Sequence, residues 1–310
     1  MATLYSEHPD NFSEIEKYFI SDFSTYKIKI EESSLCIFYD ACSFRYHSNL
    51  AKTEQKHLLK YIKAQCGVIV ITKCILMELA GTAHHLVERY VNYLEHIYEY
   101  EIPTILFAEE SLYDFLAEEY ESEKINSIFR YAIRAIKKKT STIEMVLKKE
   151  KSLRPVLSND PIKSKNISSE FFTLVKSYKE SDDNLGEELI GICLYMLLYL
   201  TAEDSFKFAI LTDDKGAAGT INVALASIPL VETEKKAAII STPKLIQYMI
   251  SDGIISQRNQ VENLLHCVKN GNLIVFATMQ NDLKTQEYAF GDATDLANKM
   301  LEKNGLSITF

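Results

Sequence analysis

Glycine and proline are scarce, with 10 and 6 residues in a chain of 310. That scarcity excludes collagen-like and low-complexity chains, and with 47% hydrophobic residues the sequence can bury a core rather than stay disordered. No apolar run is long enough to cross a bilayer: the nearest, residues 189–200, falls well short of the roughly 20 residues required and reads as a core helix. The opening MATLYSEHPDNFSEIEKYFI has no basic stretch followed by an apolar block, which argues against an export signal. Six cysteines (Cys36, Cys42, Cys66, Cys74, Cys193, Cys267) include no C-x-x-C pair and sit mostly in apolar runs, as the reduced thiols of a cytoplasmic protein do. Positive charge is also short, 34 Lys and Arg against 43 Asp and Glu, a net −9. General polyanion binding needs clustered cations, so that class is disfavoured, although a local basic patch is not. Neither G-x-G-x-x-G nor G-x-x-x-x-G-K-[ST] occurs, which argues against dinucleotide-binding dehydrogenases and P-loop enzymes.

What is present is an alternation of strand and helix signals. Residues 35–39 (LCIFY), 68–71 (VIVI), 104–107 (TILF) and 208–211 (FAIL), with 238–240 and 273–276 more weakly, read as buried strands of a parallel sheet. Helical periodicity fills 52–65, one long pattern over 73–100, then 187–202, 215–224, 243–251, 257–269 and 294–303, with a terminal strand after it. Residues 109–184 carry no strand signal and read as two or three helices joined by the polar SNDPIKSKNISS at 158–169. The expected organisation is a discontinuous α/β core (30–108 and 185–275), a helical insertion (109–184) and a C-terminal extension (276–310) packed on the core.

In an open parallel sheet, functional groups gather beyond the carboxyl ends of the strands. One apolar run leads directly into Asp40, another into Thr212, Asp213 and Asp214. Glu78 lies nearly two turns into an apolar helix for which Thr72 is the expected N-cap, and Glu187 and Glu188 open a strongly apolar helix. Each acid alone has an ordinary reading as a turn or cap residue. Gathered together, carboxylates repel one another and raise each other's pKa unless a cation neutralises them; oxygen-only ligands suit Mg²⁺ or Mn²⁺.

In this order and context the residues resemble the PIN-domain nucleases: a strand ending in Asp, a helix-borne Glu, an acid opening a mid-chain helix, and a strand ending in T-x-D. The stretches LGEELIGICLY and ILTDDKGAAGTIN are closest to bacterial PIN proteins with a GE motif before T-D-D. The resemblance implies a three-layer α/β/α fold with a central parallel sheet. It implies Asp40, Glu78, Glu187 and Asp214 as catalytic and metal-binding residues, with Glu188 and Asp213 as neighbouring ligands and Thr212, Ser43 and Lys215 near the substrate; which of Glu187 and Glu188 faces the site is left open, since one helix position turns a side chain by about 100°. The implied activity is metal-dependent endoribonuclease chemistry in a toxin- or defence-effector-like role, on RNA with single-stranded DNA as a second substrate class. An inhibitory protein partner and a homo-oligomer follow from the same resemblance. The sequence departs from the pattern at Cys42, where the family has Ser or Asn, and in the insertion, which small PIN toxins lack.

Within the insertion, Lys124, Arg130, Arg134, Lys137, Lys138, Lys139, Lys148, Lys149, Lys151 and Arg154 form the one strongly basic stretch, and with Phe129 and Tyr131 they could meet an RNA backbone and splayed bases. The plain alternative for that stretch is a solvated helical hairpin. For the whole chain, the competing readings are a catalytically inactive PIN-like binding or regulatory module and a haloacid-dehalogenase-type phosphatase. The phosphatase pattern D-x-D requires an acid at position 42, which is Cys42.

Overall fold

Four of the apolar runs are buried along almost their whole length, as strands covered by helices on both faces must be. The computed structural model describes residues 6–65, 67–158, 160–162, 166–180, 183–200, 207–228, 237–268, 273–279, 284–302 and 305–310. Helices α1 (Phe12–Ile15) and α2 (Phe23–Glu32) precede β1 (Leu35–Tyr39), followed by α3 (Ala41–Ser48), α4 (Lys52–Ala64), β2 (Gly67–Thr72), α5 (Lys73–Ala80), α6 (Glu88–Glu99) and β3 (Thr104–Phe107). Next come α7 (Leu112–Leu116), α8 (Ser122–Ile136), α9 (Thr142–Lys149), α10 (Arg154–Leu157) and α11 (Ile167–Ser177). Then follow α12 (Leu185–Leu197), β4 (Phe208–Leu211), α13 (Lys215–Ala226), β5 (Ala238–Ile240), α14 (Thr242–Ser251) and α15 (Arg258–Leu265). The chain closes with β6 (Leu273–Met279), β7 (Gln286–Phe290), α16 (Ala293–Leu301) and β8 (Leu306–Ile308).

Strands β1–β5 form one parallel sheet in the order β3-β2-β1-β4-β5, flanked by helices, an arrangement compatible with three α/β/α layers. The chain first winds outward from β1 through β2 to β3, then returns to the other side of β1 with β4. The winding therefore reverses between β1 and β4, and a crevice opens beyond their carboxyl ends. The ladder continues past both strands: Asp40 N–H donates to Leu211 O and Thr212 N–H to Ile240 O, which fixes the acids that follow.

Three expectations are corrected. The helical pattern over 73–100 is not continuous: α5 stops at Ala80, and the chain turns through Gly81 and His84, both at left-handed φ, before α6 begins. Glycine at such a turn avoids the steric cost of a side chain, so one amphipathic pattern becomes two helices. Residues 273–276 are not in the parallel sheet; β6 pairs antiparallel with β7 and β8 in a separate three-stranded sheet, its burial alternating as in a half-covered strand. Phe129 is not available to RNA, because it is fully buried against Phe171 and Phe172.

The described residues of 109–184 form helices and no strand, more of them than the two or three expected. They are tied to α5 through a buried ion pair. Lys176 lies 3.2 Å from Glu109 and also meets Glu110, and Glu109 accepts the Cys74 N–H (3.0 Å) at the positive end of α5. The small sheet is fastened to α14, where Gln247 donates to Leu306 O (2.7 Å) and accepts from Ile308 N–H (2.9 Å). Cys36, Cys74 and Cys193 are buried free thiols, Cys42 and Cys267 are partly buried free thiols, and Cys66 lies outside the described residues. No described helix is long and apolar enough to cross a membrane.

Candidate functional site

Asp40 follows β1 directly and is 1% exposed. Although it occupies the N-cap position of α3, it does not accept the usual capping hydrogen bond. Its Oδ2 instead accepts from the Cys42 thiol (2.7 Å) and the Thr212 hydroxyl (2.9 Å), while Oδ1 is buried with no partner among the described residues. Burial pushes the Asp40 carboxyl above the usual carboxylate range, against the pull of those two donors. An orphaned carboxylate oxygen is costly unless something outside the chain satisfies it.

Asp213 and Asp214 divide their roles. Asp213 is fully engaged: it accepts from Ser43 Oγ (2.7 Å), Thr242 Oγ1 (2.6 Å) and Thr242 N–H (2.7 Å), and so ties the ends of β1, β4 and β5 together. Behind it runs a buried chain: His47 Nε2 meets Thr242 Oγ1 at 2.8 Å, His47 Nδ1 meets Tyr39 Oη at 2.9 Å, and Tyr39 Oη meets Tyr93 Oη at 3.0 Å. Burial drives the His47 pKa down to about 3, so its ring is neutral and serves as a hydrogen-bonding strut. Asp214 caps α13 by accepting from Ala217 N–H (2.8 Å) through Oδ1, and its Oδ2 is not needed for the cap. Thr212 is fully buried, donating to Asp40 and accepting from Asp214 N–H (3.1 Å), so it links the two strand ends.

Glu78 and Glu187 reach the same region from α5 and α12. Gly186 permits this approach: a Cβ there would stand 2.7 Å from Glu78 Oε2 and 2.7 Å from Ile75 Cδ1. The two oxygens of Glu78 are held by cations, Oε1 near Arg45 (3.5 Å) and Oε2 near Lys179 (3.6 Å), and Arg45 also donates to Glu78 O (3.1 Å). Lys179, 3% exposed, pairs with Asp183 at 2.5 Å as well; burial opposes its charge, and the surrounding acids overcome that. The carboxyl of Glu187 is pushed up to about 9, first by burial and then by repulsion from Asp40, Asp214 and Glu78.

The four acids from four separated stretches thus act on one another electrostatically. They are not closed into a ligand shell, because among the described residues no three His, Cys, Asp or Glu side chains are grouped so as to hold a metal ion. The chemistry of the donors nonetheless fits a hard divalent cation: Asp40 Oδ1 is orphaned, repulsion from the other acids on Glu187 outweighs the pull of Lys138, and the acceptors are carboxylates. Glu188, one position along α12, turns elsewhere. Its buried oxygens make no well-formed hydrogen bond among the described residues, burial raises its carboxyl to about 7 against the pull of Lys138 and the Ser141 hydroxyl, and it lines a separate cavity with Lys138, Ser141 and Asp183.

The remaining sequence candidates scatter. Ser43 supports Asp213. Lys215 pairs with Glu287 (3.5 Å) and lies over the Phe276 ring. Lys137 pairs with Glu144, Lys138 places its charge near Glu187 and Glu188, and Lys139 is exposed. In the basic stretch Arg130 and Arg134 donate to the backbone at Asp160 and Ser158, so much of its charge organises the insertion itself. Arg45, Lys179, His47 and Thr242 were not singled out from the sequence. Thr242 stands two positions beyond β5, as Asp213 stands two beyond β4, so the strand-end rule reaches it; nothing in KSYKESDDN separates Lys179 from a surface lysine. No family model, no curated protein and no solved structure matches the chain.

Proposed function

We propose that the chain is a metal-dependent endoribonuclease that hydrolyses RNA phosphodiester bonds, toxin- or defence-effector-like, with the catalytic arrangement its resemblance to PIN-domain nucleases implies. The observation that carries this reading is the placement of Asp40 and Asp214 just beyond β1 and β4, where the sheet reverses its winding, with Asp40 Oδ1 orphaned and the Glu187 carboxyl raised to about 9 by burial and by repulsion from Asp40, Asp214 and Glu78. Asp40, Asp214 and Glu187 would hold Mg²⁺ or Mn²⁺, with Glu78 behind them. The chemistry such an ion supplies is Lewis-acid activation of water and neutralisation of charge developing at phosphorus. The residues of the chain orient that chemistry: Thr212 fixes Asp40 relative to Asp214, and the Asp213–Thr242–His47 network holds the strand ends rigid. With its carboxyl raised to about 9, Glu187 would hold a proton near neutrality and would give it up on taking a cation, so binding there would strengthen as pH rises.

A second reading, a non-catalytic PIN-like binding module, is favoured by one observation: Arg45 and Lys179 already flank the Glu78 carboxylate with positive charge. The two separate on Asp40→Asn. Under the nuclease reading this variant folds, loses Mn²⁺-dependent stabilisation and loses RNA cleavage by at least a hundred-fold. Cleavage absent from the folded wild-type protein with Mn²⁺ and with Mg²⁺, across assorted RNA and single-stranded DNA, selects the binding module.

A further inference from the structure

Tyr46 lies on α3, one turn beyond Cys42, and is a wall shared by two cavities. One, of about 330 Å³, is lined by Asp213 and Asp214; the other, of about 730 Å³, lies between the end of α3, the start of α4 and the end of α15. Val268 borders both as well, so the two are neighbours. Their volumes fall in the range of small-molecule sites.

The larger cavity is chemically unlike a phosphate site. Its described lining includes a carboxylate, Glu54, which repels an anionic group. What the lining offers is one aromatic ring, the apolar side of Leu50, and short-range donors and acceptors from Asn49, Asn263, Glu54 and His266. Asn263 Nδ2 donates to Glu54 Oε1 (3.0 Å), which presets the orientation of that pair. Flat apolar contact flanked by amide and carboxylate edges suits a neutral heteroaromatic ring, and in a polynucleotide the neutral heteroaromatic parts are the bases. Burial, together with the neighbouring aspartates, raises the Tyr46 phenol, so its ring stays neutral too.

Resting on the nuclease reading, we propose that this second cavity is a nucleobase subsite: the base flanking the phosphate at the acids stacks on Tyr46, its edge facing Asn49, Asn263 and Glu54. The acids then take the backbone while the base is drawn into the neighbouring cavity. This is a single-strand device, since a base paired in a duplex cannot enter the cavity.

The test is equilibrium binding of a ten-nucleotide single-stranded RNA to the full chain with Ca²⁺ in place of Mg²⁺ or Mn²⁺, so that the acids are neutralised, the RNA being checked for integrity after each measurement, with one abasic position moved along the strand. Expected for wild type is a peaked scan, one position costing about ten-fold in affinity, as a lost base stack does. Tyr46→Ala should bind the intact RNA about ten-fold more weakly and give a flat scan, and Tyr46→Phe should stay within about two-fold of wild type. A flat scan for wild type, or no binding of the RNA at all, overturns the subsite, and neither result requires any variant to fold. Unchanged affinity in folded Tyr46→Ala overturns it as well. The two readings fail separately: a peaked, Tyr46-dependent scan in a protein that cuts nothing with Mn²⁺ removes the catalytic reading and keeps the subsite. A flat scan in a protein that cuts RNA removes the subsite alone.

Discussion

Glu187→Gln is the substitution that asks most directly whether the acids converge. A carboxyl raised from an ordinary 4.5 to about 9 is a penalty on the folded state whenever pH exceeds the unfolded value, because the unfolded chain can release a proton that the fold retains. The penalty is absent below about pH 4.5, where Glu187 is protonated in both states. It grows as pH rises through neutrality and is complete near pH 9. At about 1.4 kcal/mol per pH unit the ceiling is about 4–5 kcal/mol at pH 8. Because Asp40, Asp214 and Glu78 share the repulsion, removing one charge relieves part of it, and a gain of about 1–3 kcal/mol is expected. Urea unfolding in chelator at pH 5, 6.5 and 8 should therefore show Glu187→Gln more stable than wild type, by an amount that shrinks toward pH 5. Saturating Mn²⁺ should reverse the order, since binding at about 100 times Kd adds about 2.7 kcal/mol to the wild type and less to a variant missing a ligand. A variant no more stable than wild type at pH 8, or a gain independent of pH, would mean that Glu187 faces water, and the convergence argument would fall with it.

Two further substitutions probe the surroundings of Glu78. Gly186→Ala gains helix propensity, up to about 1 kcal/mol, but its Cβ meets Glu78 Oε2 and Ile75 Cδ1 at 2.7 Å, and overpacking typically costs about 1–3 kcal/mol. Thermal unfolding should accordingly move little while RNA cleavage falls at least ten-fold; full activity would show that Glu78 can move without consequence. Lys179→Met leaves Glu78 and Asp183 without their buried cation and should destabilise the chain by about 3–5 kcal/mol, read from denaturant midpoints. A loss under about 1 kcal/mol would place Lys179 among ordinary surface pairs.

The sequence by itself determined the central strands. Leu35–Tyr39, Thr104–Phe107 and Phe208–Leu211 are apolar runs too short for helices and too uniformly apolar for half-exposed strands, so burial in a parallel sheet was their one economical arrangement. It also marked Asp40, Thr212 and Asp214, because acids and hydroxyls at strand ends stand out against apolar neighbours. The small sheet was less legible: LIVF in β6 resembles a buried parallel strand, whereas QEYAF in β7 carries little apolar signal, and only their antiparallel pairing accounts for both. Tertiary structure alone decided which acid of Glu187–Glu188 turns toward Asp40, since neighbouring positions on a helix differ by about 100° and no local rule sets the phase. It alone brought Lys179, from the insertion, within 3.6 Å of Glu78 across a sequence gap of 101 positions, and set Tyr46 between two cavities. Local patterns report what each segment must bury; which buried or charged side chains meet depends on how all the segments pack at once.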